Sequence, residues 1–368
     1  MKRLPGLCCL GITAFLLWLA SPLLGVTGTV VAWGGGQTNF PSGLTNITAI
    51  SSSVDHSLAL HTDGTVSAWG CDDDGECDVP AGLNNVTAVA AGDFFSAALL
   101  ANGTVVAWGL NDDGQCDTTN LANVVGISAG HAHGLALQVG GAVLAWGSGV
   151  FGQTNVPPNL SGPVEVVAAG DYSMALMSNG TVTVWGLDDS GQTNVPPGLT
   201  GVAAIAGAQS YCLAVRSNGA VTTWGASPSF SAAVSNIVAV AAGEYHSLAL
   251  TSSGAVLDWG ADQSGEGIVP AGLSKVVAVA AGWSYSLALC ASAGISGSWQ
   301  LLDPAWTNNV FSVAFPSQSG LSYTLQAANL LNPGNWTVVQ SMNGTGGMLT
   351  LTDAFASGPQ RFYRVQAK

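Results

Sequence analysis

One repeat governs what this chain can fold into. A Trp-Gly pair closes an apolar run seven times, at Trp33, Trp69, Trp108, Trp146, Trp185, Trp224 and Trp259, with spacings of 36, 39, 38, 39, 39 and 35 residues. A second run also recurs seven times, as in AVAAGDFFSAALL (88–100), GISAGHAHGLAL (126–137) and AVAAGEYHSLAL (239–250). Self-similarity at a period of roughly 40 residues confines the chain to a solenoid, a propeller or an array, because one unit cannot bury its apolar face alone.

The turns between runs choose among these. Asp63-Gly64, Asn102-Gly103, Gly140-Gly141, Asn179-Gly180, Asn218-Gly219 and Ser253-Gly254 separate the SLAL-like from the VxAWG-like runs. Such pairs accept the positive φ of two-residue hairpins, so these runs are expected to be adjacent antiparallel strands. The AVAAG run makes a third strand, and the QTNVPxGL stretch after Trp-Gly a short fourth or an edge. Helical periodicity is missing throughout. The expected fold is all-β, a seven-bladed β-propeller over residues 29–290. The chain starts in mid-unit with GTVVAWG (28–34), and the last SLAL run ends at Leu289 without a clear VxAWG partner. The N-terminal strand is therefore expected to complete the last blade and remove an open edge, in preference to the degenerate run 294–299.

Composition narrows the function. Charged residues make up 8% of the 368 residues against 48% hydrophobic, which excludes a disordered acidic tail. Between 29 and 290, Arg216 and Lys275 stand against 19 acids, leaving too few cations to neutralise phosphates. No nucleic-acid partner is expected. Lys2 and Arg3 followed by the apolar Leu7–Ala20 and the small Gly25 and Gly28 read as a secretory signal over residues 1–28. The mature protein is then expected outside the cytosol, secreted or envelope-associated, as a monomer with no membrane span after cleavage. Residues 291–298 read as an Ala/Ser/Gly linker. Residues 299–368 lack the repeat and alternate over Phe311–Phe315, Tyr323–Ala327, Trp336–Gln340, Met348–Thr352 and Phe362–Gln366, as expected of a small antiparallel β-sandwich.

Each chemical candidate has a structural counterpart. The turn Asp72, Asp74, Glu76 and Asp78 spaces oxygen ligands as a calcium loop does. The same turn recurs without that spacing, and Asx residues with Gly build such turns unaided. A disulfide among Cys71, Cys77 and Cys116 is expected in an oxidising compartment, its pairing left open. His56, His133 and His246 share one repeat position with Phe95, Tyr172, Tyr211 and Tyr285, which reads as packing between blades rather than a metal site. The seven Trp of the Trp-Gly pairs read the same way. HExxH, P-loop and CxxC patterns are missing, and no cofactor is expected.

The Trp-Gly pair followed by LNDDGQ (110–115), LDDSGQ (187–192) or CDDDGE (71–76), then AVAAGxxHSLAL and GxVxAWG, resembles the regulator-of-chromosome-condensation repeat in its compact, bacterial exported form. The resemblance covers about residues 28–290, with departures at GGGQTNF (34–40) and GASPSF (225–230). It implies a seven-bladed propeller closed by the N-terminal strand. It also implies guanine-nucleotide exchange and chromatin binding, as in the eukaryotic founder, which the export signal and the scarcity of cations oppose. The expected function is a non-enzymatic binding scaffold for a protein or glycan at the cell envelope. The alternative is a secreted enzyme acting on polysaccharide or peptide through carboxylates of the propeller loops.

Overall fold

The computed structural model describes residues 28–35, 41, 44–160, 162–227 and 236–291, and six tail strands between 302 and 367. The signal expected over 1–28 and the linker expected over 291–298 lie outside the described residues apart from Gly28 and Ala291, as does the run 294–299. Among the described residues every regular element is a β-strand.

The strand β1 (Gly28–Gly34) comes first, and three-stranded antiparallel units follow. They are β2 (Ile47–Ser52), β3 (His56–His61) and β4 (Val66–Gly70), then β5 (Val86–Ala91), β6 (Phe95–Leu100) and β7 (Val105–Gly109). Next come β8 (Val124–Ala129), β9 (His133–Gln138) and β10 (Val143–Gly147), then β11 (Pro163–Ala169), β12 (Tyr172–Met177) and β13 (Val182–Gly186). The units β14 (Val202–Gly207), β15 (Tyr211–Arg216), β16 (Val221–Gly225) and β17 (Ile237–Ala242), β18 (His246–Thr251), β19 (Val256–Gly260) complete the regular series. The last pair, β20 (Val276–Ala281) and β21 (Tyr285–Ala291), takes its third strand from β1, which pairs with β21 from Gly28↔Ala291 to Gly34↔Tyr285. First strands pack side by side in chain order, from β2 on β5 through β17 on β20, and β20 packs back on β2.

Two details differ from the sequence reading. The hairpin loops hold three residues rather than two: the His61 N–H donates to the Thr65 carbonyl and encloses Thr62, Asp63 and Gly64, with Gly64 at φ +79°. A turn followed by one left-handed residue is the usual three-residue solution. Among the described residues the fourth strand does not form either. Residues 71–85 are turns, because Pro80 lacks an N–H and the stretch is already bonded within itself, as in Leu83 N–H to Pro80 C=O.

Each first strand carries a bulge at the same place, as between Ile47 and Ala49 or Val86 and Ala88, which adds twist where neighbouring sheets must splay. Immediately before the strand, the chain turns through the left-handed region at Asn46, Asn85, Asn123, Gly162, Gly201 and Asn236, and at Lys275 with φ 58°. Asn and Gly tolerate that region, and Lys does not. Lys275→Asn is therefore expected to stabilise the protein by about 0.5–1 kcal/mol, read as a raised denaturant midpoint at unchanged m-value.

The tail forms two further three-stranded antiparallel sheets. One has the order β22 (Leu302–Thr307), β23 (Val310–Pro316), β26 (Met348–Asp353). The other has β25 (Thr337–Asn343), β24 (Ser322–Ala328), β27 (Phe362–Ala367). Tyr323, Leu325 and Leu351 are fully buried in them. The strand β22 precedes the first one expected from the alternation.

Candidate functional site

The seams between sheets account for most of the residues that the sequence singles out. His56, Phe95, His133, Tyr172, Tyr211, His246 and Tyr285 open the seven second strands, and each is at most 1% exposed. His56, His133 and His246 place Nε2 2.8–2.9 Å from the hydroxyls of Ser96, Ser173 and Ser286 in the next sheet. The phenols of Tyr211 and Tyr285 meet Ser247 and Ser57 at 2.9 Å, and that of Tyr172 meets the Cys212 thiol at 3.4 Å. Phe95 has no polar atom, and the next sheet carries Gly134 where the others carry Ser or Cys. Burial pushes the three imidazoles down to about 4, so they are neutral at pH 7. They occupy three separate seams and do not converge.

The Trp side chains fasten the same seams. Trp108 Nε1 and Ser96 Oγ both donate to the Glu76 carbonyl, at 2.9 and 2.8 Å. Trp185 and Ser173 share Gln153, and Trp33 and Ser286 share Glu266. The acidic turns are held by their own backbone. Glu76 is buried and its Oε2 accepts from the Asp74 N–H, as Gln115 does from Asp113 and Gln192 from Ser190. Asp72 Oδ1 accepts from Cys77, as Asn111 does from Cys116 and Asp188 from Thr193. Of the calcium-loop candidates, Asp72 and Glu76 thus already serve the turn, while Asp74 and Asp78 face solvent. Among the described residues no group of three His, Cys, Asp or Glu is placed to hold a metal ion. Cys71, Cys77 and Cys116 are free thiols in the structure, with Cys77 Sγ directed at the Cys71 carbonyl.

Gly126–Gly130 spells the Gly-x-Ser-x-Gly of a nucleophile elbow. Ser128, however, lies within β8, and its hydroxyl accepts from the Ala168 N–H of the next sheet, so it is a seam residue too.

Asp258 departs from the repeat in another way. It precedes Trp259 where the other units have Ala32, Ala68, Ala107, Ala145, Val184 or Thr223, and its Oδ2 is buried without a partner among the described residues. Burial, reinforced by Asp262 and Glu266, pushes its carboxyl up to about 7. A raised acid contributes stability in full below its unfolded value and loses it as pH rises through the folded one. Asp258→Ala is expected to raise stability at pH 8 by about 1–2 kcal/mol after solvent screening, and the gain should vanish towards pH 4. Urea melts of parent and variant at both pH values check this.

What remains after the seams is a cavity of ≈ 100 Å³ lined by the ends of all seven first strands. The residue after the small-residue run differs in every sheet: Val54, Asp93, His131, Gly170, Gln209, Glu244 and Trp283. Asp93 accepts 2.6 Å from the Ser53 hydroxyl, and burial pushes its carboxyl up against that bond. His131 Nδ1 lies 3.5 Å from Asp171 Oδ1, which holds the imidazole above its ordinary range, and its ring rests 5.5 Å from that of Phe94. Trp283 and Tyr245 stand 43% and 50% exposed at the rim. The Tyr245 phenol bonds Glu244, which raises it. Sequence reasoning passed over these residues because they follow no pattern. That variability within a fixed repeat was the signal.

The regulator of chromosome condensation (RCC1) repeat matches residues 47–76, 86–115 and 237–266. Among curated proteins none matches the chain by sequence. Similar solved structures include Prp20p from Saccharomyces cerevisiae, 18% identical, with a TM-score of 0.62 over 75% of this chain and 94% of that one. Human WBSCR16 is 18% identical, with a TM-score of 0.59 over 72% and 99%. The ectodomain of the Physcomitrella patens receptor kinase CR4 is 22% identical, with a TM-score of 0.51 over 69% and 78%. These identities speak to the fold, an RCC1-like β-propeller, and the repeat matches speak to the sequence. The chain thus carries regulator of chromosome condensation (RCC1) repeats at three places, on a fold similar to that of RCC1-family structures.

Proposed function

We propose that this protein is an exported, non-enzymatic binding scaffold, whose cavity face engages a protein or glycan at the cell envelope. In this reading residues 29–290 are a seven-bladed propeller that β1 closes, and residues 299–368 are a β-sandwich module. The observation that carries it is the convergence of six irregular loop positions, Val54, Asp93, Gly170, Gln209, Glu244 and Trp283, on one cavity, with Trp283 exposed at its rim and Tyr245 exposed beside Glu244. Loops on a rigid frame are where recognition concentrates, and exposed aromatic rings are the side chains that anchor partners. Polysaccharide or peptide hydrolysis is the competing reading, and it rests on the proton affinity that burial gives Asp93.

Prp20p has been described for its binding to Gsp1p and histones. Exchange on a GTPase is set aside for this chain because the signal expected over 1–28 removes it from the cytosol. The test is ligand capture on a glycan array and from an envelope fraction, with the full chain and with Trp283→Ala. Capture lost in the variant supports the scaffold reading. Capture indifferent to Trp283, or polymer turnover abolished by Asp93→Asn, overturns it.

A further inference from the structure

The strand directions sort the charges. First and third strands run towards the cavity end, and second strands run away from it, so the loops after AVAAG and after Trp-Gly share one end. Of the 19 acids between 28 and 291, all but Asp63 and Glu165 lie in those loops or in the strand residues next to them. Arg216 closes a second strand and Lys275 precedes a first strand, which puts both cations of this region at the opposite end. The ring is thus polar along its axis.

The acids alone would be a solvated face. The aromatic pair changes that, because Trp283 and Tyr245 expose apolar surface beside Glu244, at the rim of a cavity that the half-buried Asp93 lines. Glu244 and Asp171 both act on the Asp93 carboxyl and, with burial, hold its proton more tightly. A cation entering the cavity relieves that repulsion and finds an aromatic face for its alkyl stem or guanidinium.

We infer that this face docks a cationic peptide segment, rich in lysine or arginine, with one side chain entering the cavity between Asp93 and Glu244 and packing on Trp283. The inference rests on the reading of the cavity face as the working surface. Charge of one sign over a whole end also speeds encounter with such a segment and makes it sensitive to salt.

The test uses a fluorescein-labelled nona-lysine peptide and the full chain, by fluorescence anisotropy at low and at physiological salt. Binding to the parent is expected, weakened by salt. It should weaken by roughly tenfold in Glu244→Gln and in Trp283→Ala. It should stay unchanged in Asp63→Asn, which removes a charge from the opposite end. Melting curves confirm that each variant folds. No binding, binding within about twofold of the parent in both cavity variants, or equal weakening in Asp63→Asn overturns the inference. If nona-lysine fails while glycan or envelope capture still depends on Trp283, the cationic partner falls and the working surface stands.

Discussion

Deleting residues 28–34 is expected to convert a cooperative thermal transition into a lower, broader one and to make the protein bind the dye ANS. The strand pairs with β21 at seven positions, and Trp33 lies in a core cluster with Leu248, Leu250, Val276 and Ala288. Its Nε1 donates to the Glu266 carbonyl at 2.8 Å. Removing it opens an unpaired β21 edge and uncovers those side chains together. Trp33→Ala tests the same seam more gently and is expected to cost about 3–5 kcal/mol. A peptide of residues 28–35 added in trans should bind the deleted protein and restore the transition, because strand addition replaces both the ladder and the buried ring. A deleted protein that melts like the parent would show that β1 contributes nothing to the ring.

The three seam histidines set the second large effect. Their folded value of about 4 lies below the ordinary 6.5, so the native state binds fewer protons than the unfolded chain. Stability from each is complete above pH 6.5 and is lost as pH falls towards 4. Each shift corresponds to about 3 kcal/mol at the acid end. Glu165 and Asp258, pushed up to about 8 and 7, act in the opposite sense, so the parent profile alone mixes the two. The seam of Phe95 and Gly134 gives the apolar reference. His133→Phe, with Ser173 still bonded to Gln153, is expected to match the parent within about 1 kcal/mol at pH 7.5. At pH 4 it should exceed the parent by about 3 kcal/mol. Urea midpoints across that range read the difference directly, and parallel curves would mean that His133 is not buried as neutral imidazole.

The frame was legible because its determinants repeat. Trp and Gly mark each third strand, and an Asx-Gly, Gly-Gly or Ser-Gly pair marks the hairpin before it. The rest was hidden for different physical reasons. The stretch before Leu83 looks extended, but Pro80 and its local bonds keep it out of the ladder. The His–Ser seams emerge only when positions 40 residues apart are compared, as His56 with Ser96 or His133 with Ser173. The pairing of Phe95 with Gly134 is the clearest sign that neighbouring sheets are matched to each other. The cavity residues were least visible, since a loop side chain free of packing duties carries no periodicity. Asp93, Glu244 and Trp283 are unlike one another, and only the strand ends bring them to one cavity.

Hydrogen exchange on the full chain, with and without nona-lysine, tests the working face most directly. Slowed exchange is expected at 91–95, 242–246 and 281–285, where loops from three sheets meet the cavity, with no change at the hairpin 61–66 on the opposite end. Slowed exchange at 61–66, or no change at the three cavity loops, would contradict the assignment of that face.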